Sequence, residues 1–136
     1  MNKKIIQSLK NYPRDMTGYG ENPIQPNWPN NARIAVQFVL NYEEGAENSI
    51  LHGDKSSESF LSEIVGAKAY EGVRHMSMES LYEYGSRVGV WRILRLFKEF
   101  DVPVTIFAVA LAIARNRELS DYLAEHDYDI CAHGFR

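Results

Sequence analysis

Ala32-Arg33-Ile34-Ala35-Val36-Gln37-Phe38-Val39-Leu40-Asn41-Tyr42-Glu43-Glu44-Gly45 decides how this chain is read. It starts as a nearly unbroken apolar, β-branched run and ends in two adjacent carboxylates and a glycine. Runs of this kind predict a strand buried on both faces, as in a parallel sheet covered by helices. In such sheets chemistry gathers at the carboxyl edge, where the strands end. Asn41, Tyr42, Glu43 and Glu44 stand at that edge. A second short run, Asp129-Ile130-Cys131-Ala132-His133, also ends in a side chain capable of chemistry.

Between these two strands the pattern is helix, strand, helix. Ser86 to Phe100 places Val90, Ile93, Leu94 and Phe97 on one stripe, with Arg92, Arg95, Lys98 and Glu99 opposite, and Ser86 reads as the N-cap. Asp101-Val102-Pro103 ends that helix, and Val104 to Val109 is the next strand. A helix from Ala110 breaks near Asn116, and a second stripe follows through Leu119, Tyr122, Leu123 and His126. Alternation of strand and helix predicts an α/β fold with a parallel sheet and right-handed crossovers.

The chain has 136 residues, 45% of them hydrophobic and 24% charged, with a formal net charge of −3. That supports one domain with a core and argues against nucleic acid or an anionic membrane as the main partner. A single cysteine, Cys131, excludes an internal disulfide framework. The start is basic and briefly apolar, but Gln7 and Lys10 interrupt it, so it lacks the apolar stretch of a secretion signal. A cytoplasmic setting is the expectation.

Residues 1–31 read as an arm separate from the domain at 32–136. Pro13, Pro23, Pro26 and Pro29 forbid a continuous helix between Asn11 and Asn31. Tyr12, Tyr19 and Trp28 predict that this arm packs on the body or on a neighbouring subunit. Gly45 to about Tyr84 is a long irregular stretch, with a short helix expected over 57–67 on Phe60, Leu61, Ile64 and Val65. Gly66 to Tyr84 is expected to form a lid or pocket wall, since long loops in compact domains tend to be functional.

Glu43 and Glu44 would point to opposite faces of an extended strand, but a turn at its end can bring both to one cavity. One carboxylate then serves as base toward water, while the other orients it or holds a cation. His133, ending another strand at the same edge, is the natural acid or metal ligand. Cys131 reads as a buried small hydrophobe. His52 and His75 could line the pocket, and Arg74, Arg87 and Arg92 could bind an anion or carbonyl. His126 reads as a helix-end residue.

Asn41-Tyr42-Glu43-Glu44-Gly45 resembles the first motif of the polysaccharide deacetylase superfamily, usually Thr-Phe-Asp-Asp-Gly. Ile130-Cys131-Ala132-His133-Gly134-Phe135-Arg136 resembles the strand leading into its second motif, a His-x-x-x-His pair. Arg14-Asp15-Met16-Thr17-Gly18-Tyr19-Gly20, Val36 to Gly45 and Tyr82-Glu83-Tyr84-Gly85-Ser86-Arg87 resemble the allantoinase-like branch more specifically. The resemblance implies the N-terminal part of an incomplete, distorted (β/α) barrel of about twice this length, cut at the second motif.

The resemblance also implies roles. Glu44 stands where the family's metal-binding aspartate would be, Glu43 where its base aspartate would be, and His133 where its first histidine would be. Both aspartates are replaced by longer glutamates, and the second histidine would lie beyond Arg136. That pattern matches a branch described as working without metal, so the expectation is no metal and no cofactor. Asp127 takes a position the family usually gives to glycine. The implied activity is hydrolysis of a non-peptide carbon–nitrogen bond, specifically opening of a hydantoin ring (allantoin to allantoate), by Glu43, Glu44 and His133. The substrate is then a small molecule, with His52, His75 and Arg74 as candidate binders, and the full-length form is expected to be a homo-oligomer. The rival expectations are a zinc-dependent deacetylase of N-acetylated sugar polymers and a non-catalytic remnant. On either account this chain alone is expected to be inactive.

Overall fold

The computed structural model describes residues 2–59 and 64–136. Two compact units divide it, Met1–Ala35 and Val36–Arg136. In the first, α1 (Lys3–Lys10) is capped by Asn2, whose side chain accepts from the Lys4 N–H at 3.0 Å. Residues 11–28 carry neither helix nor strand, in keeping with their prolines. Tyr12, Tyr19 and Trp28 are exposed.

The second unit is built on a three-stranded parallel sheet in the order β1 (Phe38–Tyr42), β2 (Val104–Ala108), β3 (Asp129–Ala132). Phe38 pairs with Val104, Leu40 with Ile106 and Tyr42 with Ala108; Ile106 in turn pairs with Ile130. The strand expected from Ala32 therefore begins only at Phe38. Its partner β2 cannot extend upstream, because Pro103 has no N–H to give to a ladder.

Burial on both faces holds for β2, whose Val104, Thr105, Ile106 and Ala108 are all buried. It fails for β1 and β3: Phe38, Val39 and the whole of β3 are exposed. The register explains this. Leu40 and Tyr42 share a face with Val104, Ile106 and Ala108 and pack against Val90 and Leu94 of α3 (Val90–Glu99) and Leu119 and Leu123 of α5 (Arg117–Glu125). The opposite face carries Val39, Asn41, Thr105, Phe107, Asp129 and Cys131, of which Val39, Asn41, Asp129 and Cys131 are exposed. Cys131, expected to be buried, is exposed there. Across that face Gln37 Nε2 donates to Thr105 Oγ1 at 3.3 Å, and Thr105 Oγ1 donates to Asp129 Oδ2 at 2.7 Å.

The helix expected from Ser86 starts ten residues earlier in register, at Met76 (α2, Met76–Tyr84), within the stretch read as a lid. It continues through a π turn, Gly85–Gly89, into α3. Ser86 is not a cap; its hydroxyl donates to the Glu83 carbonyl at 3.2 Å. Gly85 stands at the boundary expected before Ser86, but the widened turn absorbs it and the helix runs on. α4 (Ala110–Arg115) ends at Asn116, which caps α5 by accepting from the Leu119 N–H at 3.2 Å. The short helix expected over 57–67 centres on residues 60–63, outside the described residues. Among the described residues, no helix is long and apolar enough to cross a membrane.

Candidate active site

The parallel ladder runs one residue past each strand and so sets the site. Val109 N–H donates to the Tyr42 carbonyl and His133 N–H to the Ala108 carbonyl, both at 3.0 Å. These bonds hold the ends of β1, β2 and β3 side by side. The backbone beyond Tyr42 then turns sharply: Ala46 N–H donates to the Glu43 carbonyl at 2.9 Å, with Gly45 at φ 99°. A turn with positive φ at its third residue demands glycine there.

That turn separates the two carboxylates. Glu43 faces β3, with its Oε1 3.2 Å from His133 Nε2, and the two side chains keep 28% and 43% of their exposure. Asn41 Nδ2 donates to the same Oε1 at 3.3 Å. Glu44 turns the other way. Its Oε2 accepts the Glu43 backbone N–H at 3.0 Å, and its Oε1 packs on the backbone of Gly85. Burial pushes the Glu44 carboxyl up, opposed by backbone hydrogen bonds and helped by the charges of Glu43 and Glu47. The single cavity expected for both glutamates is thus two. Glu43 lines one of about 430 Å³ with Glu47, Glu58, Tyr82, Val109 and Arg136. Glu44 lines a mostly apolar one of about 350 Å³ with Leu40, Tyr84, Gly85 and Ile93.

The other candidates are engaged in structure. His52 Nδ1 lies 2.9 Å from the Glu47 carbonyl, so that nitrogen carries the proton, and Nε2 accepts from Arg115 Nη1 at 2.6 Å. Arg115 also donates to the Gly45 carbonyl, tying the turn to α4. His75 is buried, caps α2 by accepting the Met78 N–H at 3.3 Å, and stacks on Tyr70. Arg74 forms a two-pronged pair with Glu79, Nε lying 3.0 and 3.1 Å from its oxygens. Arg87 pairs with Glu83 and Arg92 donates to the Tyr84 hydroxyl. None of these side chains lines the cavity that holds Glu43. His126 closes α5, as read.

Among the residues that do line it, Arg136 and Tyr82 were not read as site residues in sequence. Arg136 pairs with Asp54 and donates to the Ala46 carbonyl at 3.4 Å. Tyr82 keeps its phenol protonated far above neutrality, chiefly through burial and then through the charges of Glu58, Glu47, Glu43 and Glu44. A neutral phenol among carboxylates is a hydrogen-bond donor held ready. Its place three residues before Gly85 in Tyr82-Glu83-Tyr84-Gly85 was the available signal.

A zinc site of the superfamily type does not fit these residues by themselves. Such a site needs at least three converging donors. Glu43 and His133 converge, but the Glu44 carboxylate is committed to the Glu43 amide and to Gly85. Among the described residues, no group of three or more His, Cys, Asp or Glu could hold a metal ion.

No family model matches the chain. A Schizosaccharomyces pombe protein described as a polysaccharide deacetylase is 44% identical over 126 residues, 90% of this chain and 39% of that protein. The crystal structure of PuuE allantoinase superposes with a TM-score of 0.86 at 62% identity, over 93% of this chain and 42% of that one. A Pseudomonas aeruginosa PAO1 structure described as a polysaccharide deacetylase gives the same TM-score and identity over 92% and 42%. The chain therefore spans about two fifths of the relatives it matches.

Proposed function

We propose, from the premise that this chain is homologous to polysaccharide deacetylases and to an allantoinase, that it supplies part of the catalytic site of a hydrolase that opens a cyclic amide. The observation that carries this reading is the Glu43–His133 pair at 3.2 Å across neighbouring strand ends. A carboxylate and an imidazole at hydrogen-bond distance can move protons in both directions during one hydrolysis.

In the reaction, Glu43 takes a proton from water as its oxygen adds to the ring carbonyl. The tetrahedral species then collapses, the carbon–nitrogen bond breaks, and His133 gives a proton to the leaving nitrogen. Glu44 holds Glu43 through its backbone N–H, and the Tyr82 hydroxyl donates to the substrate. The substrate is a small molecule with the hydantoin ring of allantoin, which makes the reaction a step of purine catabolism in a cytoplasmic setting. The remaining groups come from the rest of a (β/α) barrel, and no step here needs a metal held by this chain.

The test is an assay of the full-length protein carrying this region, against allantoin and against N-acetylglucosamine oligomers. Ring opening of allantoin supports the reading. Acetate release from the oligomers, with no turnover of allantoin, overturns it in favour of a deacetylase.

A further inference from the structure

Gly85 sits inside a right-handed helical run (φ −54°, ψ −50°), where any residue with a side chain other than proline would suit the backbone better. Conformation therefore does not call for glycine here; space does. A Cβ built on Gly85 would lie 2.6 Å from Glu44 Oε1, 2.8 Å from its Cγ and 3.0 Å from its Cδ. The near atoms include the middle of the side chain, so moving the carboxylate tip alone would not relieve the clash.

Both partners are pinned. The Glu44 carboxylate accepts the Glu43 N–H at 3.0 Å, which ties it to the turn after β1. From the helix side, Asn116 Nδ2 reaches the Ser86 carbonyl inside the π turn at 3.3 Å and the Tyr42 hydroxyl at 2.9 Å. One side chain thus fastens the π turn to the last residue of β1, and the gap between Gly85 and Glu44 is set from both ends.

We propose that Gly85 is a positioning residue: the missing side chain leaves the space in which Glu44 folds back onto the Glu43 amide, and so aims Glu43 at His133. Its catalytic meaning rests on the function proposed above, whereas the geometry can be tested without turnover. If allantoin is not hydrolysed but the coupling below is found, the function falls and the positioning stands.

The experiment is hydrogen exchange by mass spectrometry on the full chain, comparing Gly85→Ala, Glu44→Ala and the double variant, each with its thermal melt. Gly85→Ala is expected to speed exchange of the Glu43 amide about tenfold, the scale of one lost charge-assisted bond, while Val104–Ala108 stay protected. On the Glu44→Ala background the same substitution is expected to lower the melting temperature no further. Should Gly85→Ala alone fail to fold, Glu44→Ala is expected to restore a cooperative melt. An unchanged Glu43 amide in a folded Gly85→Ala, or equal damage with and without Glu44, overturns the proposal.

Discussion

His133 Nε2 lies 3.2 Å from Glu43 Oε1, although one residue follows β3 and the other follows β1 with β2 between them. The pair spans the sheet because the ladder bonds from Val109 N–H to the Tyr42 carbonyl and from His133 N–H to the Ala108 carbonyl hold the three strand ends side by side. On the function proposed above, Glu43→Gln in the full-length protein carrying this region is expected to lower kcat for allantoin by about 10²–10⁴-fold with little change in KM, the usual cost of losing a general base. His133→Gln is expected to do the same. The double variant should lose far less than the product of the two, because the residues act as a unit. Steady-state kinetics on the three variants check this.

Asn116 is expected to be the most sensitive polar residue of the second unit. It caps α5, donates to the buried Tyr42 hydroxyl at 2.9 Å and donates to the Ser86 carbonyl at 3.3 Å. Asn116→Ala removes the cap and strands a buried hydroxyl, together costing about 2–4 kcal/mol. Asn116→Asp keeps the capping oxygen but loses both amide donations, so its loss should be intermediate. Urea titration reads both as a shifted midpoint with an unchanged slope.

Glu79 gives a pH signature. Its hydrogen bonds with Arg74 hold its carboxyl below the usual range, opposed by burial and helped further by the guanidinium's charge. A depressed folded value means the contribution is present above the unfolded value of about 4.3 and is lost as pH falls through the folded one. The wild-type chain is therefore expected to lose stability below about pH 4.3 more steeply than Glu79→Gln. Urea midpoints measured at several pH values from about 5 down to about 3 check the sign.

The 136-residue chain by itself is expected to self-associate and to show no turnover. Val39 and Ile130 keep 44% and 50% of their exposure, and β1 and β3 are both edge strands. Unpaired edges flanked by apolar side chains recruit other strands. Size-exclusion chromatography with light scattering, beside an allantoin assay, checks both halves. A chain that stays monomeric would refute the first, and turnover above background the second.

The alternation of strand and helix, the parallel sheet and the helix stripe through Val90, Leu94 and Phe97, though not the exposed Ile93, follow from the sequence alone, because side-chain periodicity directly reports which residues must leave water. The placing of Glu43 and His133 at one carboxyl edge was legible for the same reason. Tertiary structure decided the rest. Whether β1 is covered on one face or two depends on neighbours, which periodicity cannot name, so Val39 and Cys131 read as buried and are exposed. The helix through Gly85 looked like a boundary because a π turn has no sequence period of its own. Glu43 and Glu44 are chemically identical neighbours, and nothing local says which faces His133. The turn at Gly45 and the space above Gly85 divide them, and both are products of how the helix lies on the sheet.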